Sequence, residues 1–281
     1  MRLKADLTLL FVSILWGSAF VFQRVVGEQG GVYYFNGLRF WLGALILVPF
    51  IRKREPLSRG QWIWMGIAGT VLFVASALQQ VGIQYTTAGN AGFITSLSVV
   101  IVPFVLLIGW RERPRLVAIL AVIMAGVGAY LLSTGGSFEV QKGDALELAG
   151  ALFWSLHFVI LGKYASRFAS IQFAAGQFVI AGFLNLLAGF VWERPFFNGA
   201  MVGAVVYTAV FSVGIGYTLQ VWAQRFTPPT DAALILSLEA VFAVLSGWLF
   251  LSERLTLVQF LGCVLIFEGV LMAQLRGGNS E

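Results

Sequence analysis

Residues 78–98, LQQVGIQYTTAGNAGFITSLS, return 141 positions later as residues 219–239, LQVWAQRFTPPTDAALILSLE. Leu78-Gln79 falls on Leu219-Gln220, Thr86 on Thr227, Ala91 on Ala232, Ile94 on Ile235, and Ser96-Leu97 on Ser237-Leu238. Outward, the same register puts Glu112-Arg113 on Glu253-Arg254, Leu116-Val117 on Leu257-Val258 and Gly128 on Gly269. The chain repeats itself, and each copy contains five apolar runs of helix length.

Composition decides the solvent. The chain is 59% hydrophobic and 11% charged over 281 residues, with a mean hydropathy of +0.86; soluble domains carry roughly 25% charged residues. The apolar residues run without interruption instead of forming a stripe, so these helices are greasy all round and suit lipid. A span needs about 20 apolar residues to cross about 30 Å of hydrocarbon. Ten are predicted, near 4–24, 33–52, 60–82, 88–109, 116–133, 144–166, 171–192, 199–222, 230–251 and 257–275. Unpaired backbone is not tolerated at membrane depth, so each run is read as a helix. The division predicted is a first five-helix repeat over 1–135 and a second over 136–281.

Charge orients the spans. The pI near 9.6 would suggest nucleic acid in a soluble protein, but here the basic residues sit in short loops and no nucleic-acid partner is expected. Thirteen of them, including Arg2, Lys4, Arg59, Arg111, Arg113, Arg115 and Lys163, share the face that holds the N-terminus, against four (Arg24, Lys142, Arg194, Arg254) on the other. The positive-inside rule then puts both termini in the cytoplasm. The apolar run behind Met1-Arg2-Leu3-Lys4 lacks a convincing cleavage motif, so it is read as an uncleaved first span. Trp62, Trp64, Trp110, Trp192, Trp222 and Trp248 fall near span ends, where indole rings settle at headgroups. Because five is odd, a second copy that crosses five times runs upside down relative to the first. Such inverted repeats are the mark of secondary transporters, whose central site opens alternately to two faces. The fold expected is an all-α membrane protein of ten transmembrane helices, two inverted five-helix repeats around a central cavity.

Candidate site residues are those that a membrane interior penalises. Arg39, Glu239 and Glu268 lie inside spans, each at about 2.5–3.5 kcal/mol on insertion scales. Arg39 and Glu239 either bracket a zwitterionic solute or hold spans 2 and 9 together as a salt bridge. Glu268 either relays a proton or makes an inter-helix contact. Asp231, Ile235 and Glu239, spaced by four, share a face of span 9, and Asn90, Ile94 and Ser98 repeat that face on span 4. After Pro228-Pro229, Asp231 or Thr230 is expected to cap span 9. Pro103 in span 4 has no counterpart in the second copy, where Val244 stands; it either bends the helix or frees a carbonyl, and a kink in one half alone either serves a gate or is harmless curvature. Gln79 and Gln220 match across the repeat, and Gln23, Gln80, Gln84 and Gln224 add further amides, several of which are expected at the cavity. Trp16 and Trp154 offer broad faces at mid-depth, with His157 one turn past Trp154; these either contact solute or pack the core. Gly126, Gly128, Gly176, Gly182, Gly214 and Gly216 are read as close-approach points between helices. Cys263 has no partner for a disulfide and no ligand cluster around it. No cofactor or metal is expected. An intramembrane enzyme would need a nucleophile with its base or a metal, and one His and one Cys on different spans supply neither.

The chain resembles the drug/metabolite transporter superfamily in its ten-helix, EamA-type branch. The likeness rests on Leu15-Trp16-Gly17-Ser18, Leu38-Arg39-Phe40 and the stretch from Ala88 through Pro103 to Glu112-Arg113 in the first copy. In the second it rests on Thr227-Pro228-Pro229, Leu238-Glu239-Ala240-Val241, Ser252-Glu253-Arg254-Leu255-Thr256 and the glycine-bearing last span. The resemblance implies that spans 1–4 and 6–9 surround the cavity with spans 5 and 10 to one side, which takes Glu268 away from the site. It also implies export of small metabolites, often amino acids, from the bacterial cytoplasm across the inner membrane. The sequence departs from that family where Trp154-Ser155 replaces its usual Trp-Gly, and in having His157. The reading is therefore an alternating-access exporter of amino acids, aromatic ones included, or similar small metabolites, with membrane lipid as surroundings and a monomer sufficient. Its substrate-binding set is Trp16, Arg39, Gln79, Asn90, Ser98, Trp154, His157 and Glu239. The alternatives are efflux of cationic drugs or metabolites, uptake of a metabolite, and a passive channel.

Overall fold

The computed structural model describes residues 1–27, 31–51, 56–85, 88–134, 142–194, 198–251 and 256–277. Every apolar run is helical. The first half comprises α1 (Arg2–Gly27), α2 (Val32–Leu47), α3 (Arg59–Gly82), α4 (Ala88–Ser96), α5 (Ser98–Trp110) and α6 (Leu116–Thr134). The second comprises α7 (Asp144–Tyr164), α8 (Ser170–Trp192), α9 (Gly199–Tyr207), a π-helical stretch (Thr208–Tyr217), α10 (Thr218–Ala223), α11 (Pro229–Leu236), α12 (Leu238–Leu251) and α13 (Leu257–Gly277). Among the described residues eight helical spans are long and apolar enough to cross a membrane, and two shorter apolar stretches, Leu116–Leu132 and Leu257–Met272, complete the ten. At 26 residues, α1 is about 39 Å long at 1.5 Å per residue, more than the hydrocarbon needs. The protein is an all-α, multi-pass membrane fold. The expected repeat boundary at 135/136 lies outside the described residues.

Local chemistry starts and stops these helices. Ser58 and Gln61 form a reciprocal capping box at the start of α3, satisfying two donors that a helix N-terminus leaves open. At α11 the expected cap by Asp231 or Thr230 is not formed: Pro228 is the N-cap and Pro229 takes the first helical position, making no side-chain cap bond. Proline suits that position because its missing N–H would have had no partner there. Asp231 instead accepts from Arg2.

Spans 4 and 9 are each divided into two helices. Pro103 sits within α5, and the break in span 4 comes earlier, at Leu97, with a matching break in span 9 at Ser237. Both copies carry a serine at the break. Ser96 donates its hydroxyl to the Phe93 carbonyl and Ser237 donates to the Leu234 carbonyl, each at 2.7 Å. A serine bonding back to the preceding turn competes with the helical amide ladder and bends the helix.

Helix packing maps onto itself when the halves are exchanged. α1 lies on α12 as α7 lies on α5, while α3 lies on α7 and α8 as the α9–π–α10 rod lies on α1 and α2. α2 packs against α8, and α6 against α13. Glycines make the closest approaches. A Cβ at Gly128 would stand 2.7 Å from the Gly262 carbonyl oxygen, and one at Gly269 would stand 2.8 Å from that of Ala121. Ala121 and Gly262 are themselves 141 apart, so the two contacts are copies of each other. Lipid gives helices no hydrophobic reason to associate, so backbone-to-backbone van der Waals packing of this kind holds them. Outward, Phe11, Phe183, Phe190 and Phe267 are exposed. Glu268 is exposed among the apolar residues of α13, away from the interior.

Candidate functional site

Where α1, α2, α3, α4, α5, α7, the π-helical stretch and α12 converge, they border a cavity of about 40 Å³. That is room for a few waters. Of the eight residues expected to form a solute site, six line it: Trp16, Arg39, Gln79, Ser98, Trp154 and Glu239. Asn90 is in α4, but its side chain lies outside the described residues. His157 does not reach the cavity. It is 0% exposed and its Nε2 shares a hydrogen bond of 2.9 Å with Gln177 Oε1. The glutamines also divide. Gln23 and Gln79 line the cavity, whereas Gln80, Gln84 and Gln224 donate to the carbonyls of Gln23, Gly27 and Phe158.

Tyr217, which the sequence reading passes over, is the centre of the site. Its ring centroid lies 4.7 Å from Trp16 and 6.1 Å from Trp154, nearly parallel to the latter at 13°. Phe40, Phe178 and His157 surround it at 6.0–6.3 Å. Each such aromatic pair contributes about 0.5–1.5 kcal/mol beyond burial. The π-helical stretch ends on Tyr217, and π segments widen a helix and re-aim the side chains that follow, often at functional sites. Gly216 lets Trp16 in: a Cβ there would stand 2.7 Å from the indole nitrogen, which donates to the Ser212 carbonyl at 3.2 Å. In the 141-residue register the mate of Trp16 is His157, not Trp154, so the two tryptophans approach Tyr217 from different levels.

A basic and an acidic side chain face this aromatic box. The Arg39 guanidinium, 2% exposed, lies 5.0 Å from the Phe35 ring centroid and 5.2 Å from that of Phe40, and its Nε has no hydrogen-bond partner among the described residues. Cation–π contact partly replaces the water it has lost. Glu239 lines the same cavity. The two form no ion pair with each other or with any other described residue, and Tyr217 lies within electrostatic reach of both. The salt bridge between spans 2 and 9 is absent, and both side chains remain available to a solute.

The EamA-like transporter family matches the chain twice, over residues 3–134 and 141–274. The chain belongs to that family. It is 34% identical over 284 residues to an uncharacterized transporter of Archaeoglobus fulgidus, covering 98% of this chain and 87% of that one. A WAT1-related chloroplastic protein of Arabidopsis thaliana is 25% identical, with 94% and 68% covered. A crystal structure superposes over 100% of both chains with a TM-score of 0.84 at 19% identity, a likeness of fold. The protein is thus a membrane transporter with a small-molecule substrate and a lipid environment.

His157 separates cavity from scaffold experimentally. His157→Leu leaves the Gln177 amide buried without its partner, at about 1–3 kcal/mol. Thermal unfolding in detergent is expected to move down accordingly, while solute affinity stays at the wild-type value. A large affinity loss without a stability change would return His157 to the binding set.

Proposed function

We propose that this EamA-like transporter exports amino acids or closely similar zwitterionic metabolites across the plasma membrane by alternating access. One observation carries the reading: Arg39 and Glu239 line a single cavity, unpaired, around an aromatic box. A guanidinium matches a carboxylate through parallel donors, and a carboxylate matches an ammonium. Trp16, Trp154 and Tyr217 then hold an apolar or aromatic side chain, while Gln79 and Ser98 add hydrogen bonds. Unpaired charges of both signs favour a zwitterion over a purely cationic drug.

The cavity has room for only a few waters in the described conformation, so on this reading it widens to take up solute. Each end has a latch suited to that. On the face holding the N-terminus, Arg2 ties α1 to Asp231 of α11, and Thr227 donates to Asp6 at 2.7 Å. At the other end, the Glu193 carboxylate accepts from the Tyr33 and Tyr34 amides at 3.0–3.1 Å, tying the end of α8 to the start of α2. The basic-residue bias makes the Arg2 face cytoplasmic, and two five-span copies in opposite orientation give each latch its own side.

Counterflow in proteoliposomes tests the reading. Labelled L-phenylalanine is expected to exchange saturably, and a competition screen of the twenty amino acids should rank apolar and aromatic ones first. Amines lacking a carboxylate and acids lacking an ammonium should compete at least tenfold more weakly. Equal competition by a simple organic cation would instead favour drug efflux, and exchange that does not saturate would favour a channel.

A further inference from the structure

Glu147 is a buried acid that the solute site does not use. It is 0% exposed, in the first turn of α7. Its Oε1 has no hydrogen-bond partner among the described residues. Its Oε2 accepts from the Thr95 hydroxyl at 3.2 Å, and Thr95 Oγ1 in turn accepts from Gln79 Nε2 at 3.0 Å. Thr95 and Gln79 both line the central cavity, so the carboxyl is one hydroxyl removed from it.

The repeat gives the contrast. The counterpart of Glu147 is Asp6, which has Arg2 one turn earlier at 3.7 Å and accepts from Thr227. One turn before Glu147 stands Gly143, the counterpart of Arg2. The second copy therefore keeps the acid and omits its cation. Among the described residues nothing packed around Glu147 replaces it. α3 presents Gly82, where a Cβ would stand 2.8 Å from Glu147 Oε1, and Gln79. α4 presents Thr95. Tyr85, just past α3, meets this turn through its carbonyl, which accepts from the Gly143 amide at 3.1 Å. On α7 itself the charged neighbour is Asp144, of the same sign. The start of α7 favours negative charge, yet a carboxylate out of water, unpaired and beside another acid, is disfavoured well beyond what a helix end offsets.

We propose that Glu147 is a proton-binding site that couples transport to the proton gradient, exchanging its proton with cavity water across the Thr95 hydroxyl. One proton adds to a carboxylate oxygen from water on one face and leaves to water on the other, with no other bond made or broken. As a coupling mechanism this rests on the transport reading above; as a proton site it does not. Glu147 moves charge, while Glu239 meets solute.

The test uses the full chain in proteoliposomes with labelled L-phenylalanine inside and out and a trapped pH dye. In Glu147→Gln, counterflow is expected near the wild-type rate, while proton movement accompanying net solute flux falls to the empty-vesicle level. Thr95→Val, which keeps the shape and loses the hydroxyl, is expected to slow proton movement at least tenfold. Infrared spectra of the reconstituted chain need no solute: a protonated-carboxyl band present in the wild type should shrink in Glu147→Gln, and the component lost there should persist in Glu239→Gln. Wild-type counterflow without proton movement overturns the coupling and leaves the transport reading intact. Undiminished proton movement in Glu147→Gln overturns it too. If that variant fails to fold, Thr95→Val moving protons at the wild-type rate has the same force. Should the wild type show no counterflow, the transport reading fails, and loss or persistence of the infrared band alone decides the proton site.

Discussion

Glu239→Gln is expected to weaken amino-acid binding and exchange about ten- to a hundredfold. A hydrogen bond to a charged group is worth about 1.5–3 kcal/mol, and each 1.4 kcal/mol is tenfold in affinity. The substitution keeps shape and hydrogen-bonding capacity and removes only charge, which no described residue neutralises. Folding should not suffer, since an unpaired charge at membrane depth is itself a cost; thermal stability is expected to hold or rise. The loss should follow the chemistry of the solute. A phenylalanine analogue with hydroxyl in place of ammonium makes no ion pair with Glu239, so its weaker binding should be nearly the same in wild type and variant. Arg39→Gln should show the converse, penalising solutes that carry a carboxylate. Native affinity for amino acids in Glu239→Gln would remove this residue from the site and with it the zwitterion reading.

The cavity residues legible in the sequence are those whose chemistry is out of place in lipid. Arg39 and Glu239 stand out because insertion penalises them, and Trp16 and Trp154 because tryptophan ordinarily sits at span ends. Gln79 and Ser98 lie on partly polar faces that the repeat makes visible. His157 shows the limit of helical phase. Three residues past Trp154 is about 60° round the helix at 3.6 residues per turn, enough to turn it from the cavity to Gln177. Tyr217 gives no such signal. Its counterpart in the first copy is Ser76, and the π-helical stretch before it (Thr208–Tyr217) changes the phase that an α-helical count would assign. The pair Gly214 and Gly216 marks that stretch, against Phe73 and Ala75 at the matching places, but glycines in a span read first as packing points. Glu147 lies one turn from the start of its span, where acids are commonplace in helices. Its burial comes from α3 and α4 closing over it, which is tertiary information. The helices themselves were legible throughout, because ten apolar runs in register over two copies leave the backbone no other solution.

Gly262→Leu is expected to abolish the folded protein. A Cβ at Gly262 would stand 2.5 Å from the Leu132 amide nitrogen, 2.6 Å from the Gly128 carbonyl oxygen and 2.9 Å from the Leu132 Cα. All three are backbone atoms of α6 and cannot rotate aside, so a side chain must push α13 away along the whole contact. Gly262→Ala forces the smaller displacement, and overpacking of that order costs about 1–3 kcal/mol. That variant should purify with a lowered melting temperature. Gly203 gives the control: nothing lies within 4 Å of a Cβ there, so Gly203→Leu adds an apolar side chain facing outward and should melt with the wild type or slightly above it. Gly128→Ala and Gly269→Ala probe the two copies of one contact. They should be unequal, since Gly128 would meet three atoms within 2.9 Å and Gly269 only one within 3.0 Å. Neither α6 nor α13 lines the cavity, so alanine variants that fold should bind solute with wild-type affinity. A Gly262→Leu protein as stable as the wild type would mean that α6 and α13 do not touch in this way, and the symmetric packing of the two copies would lose its clearest contact.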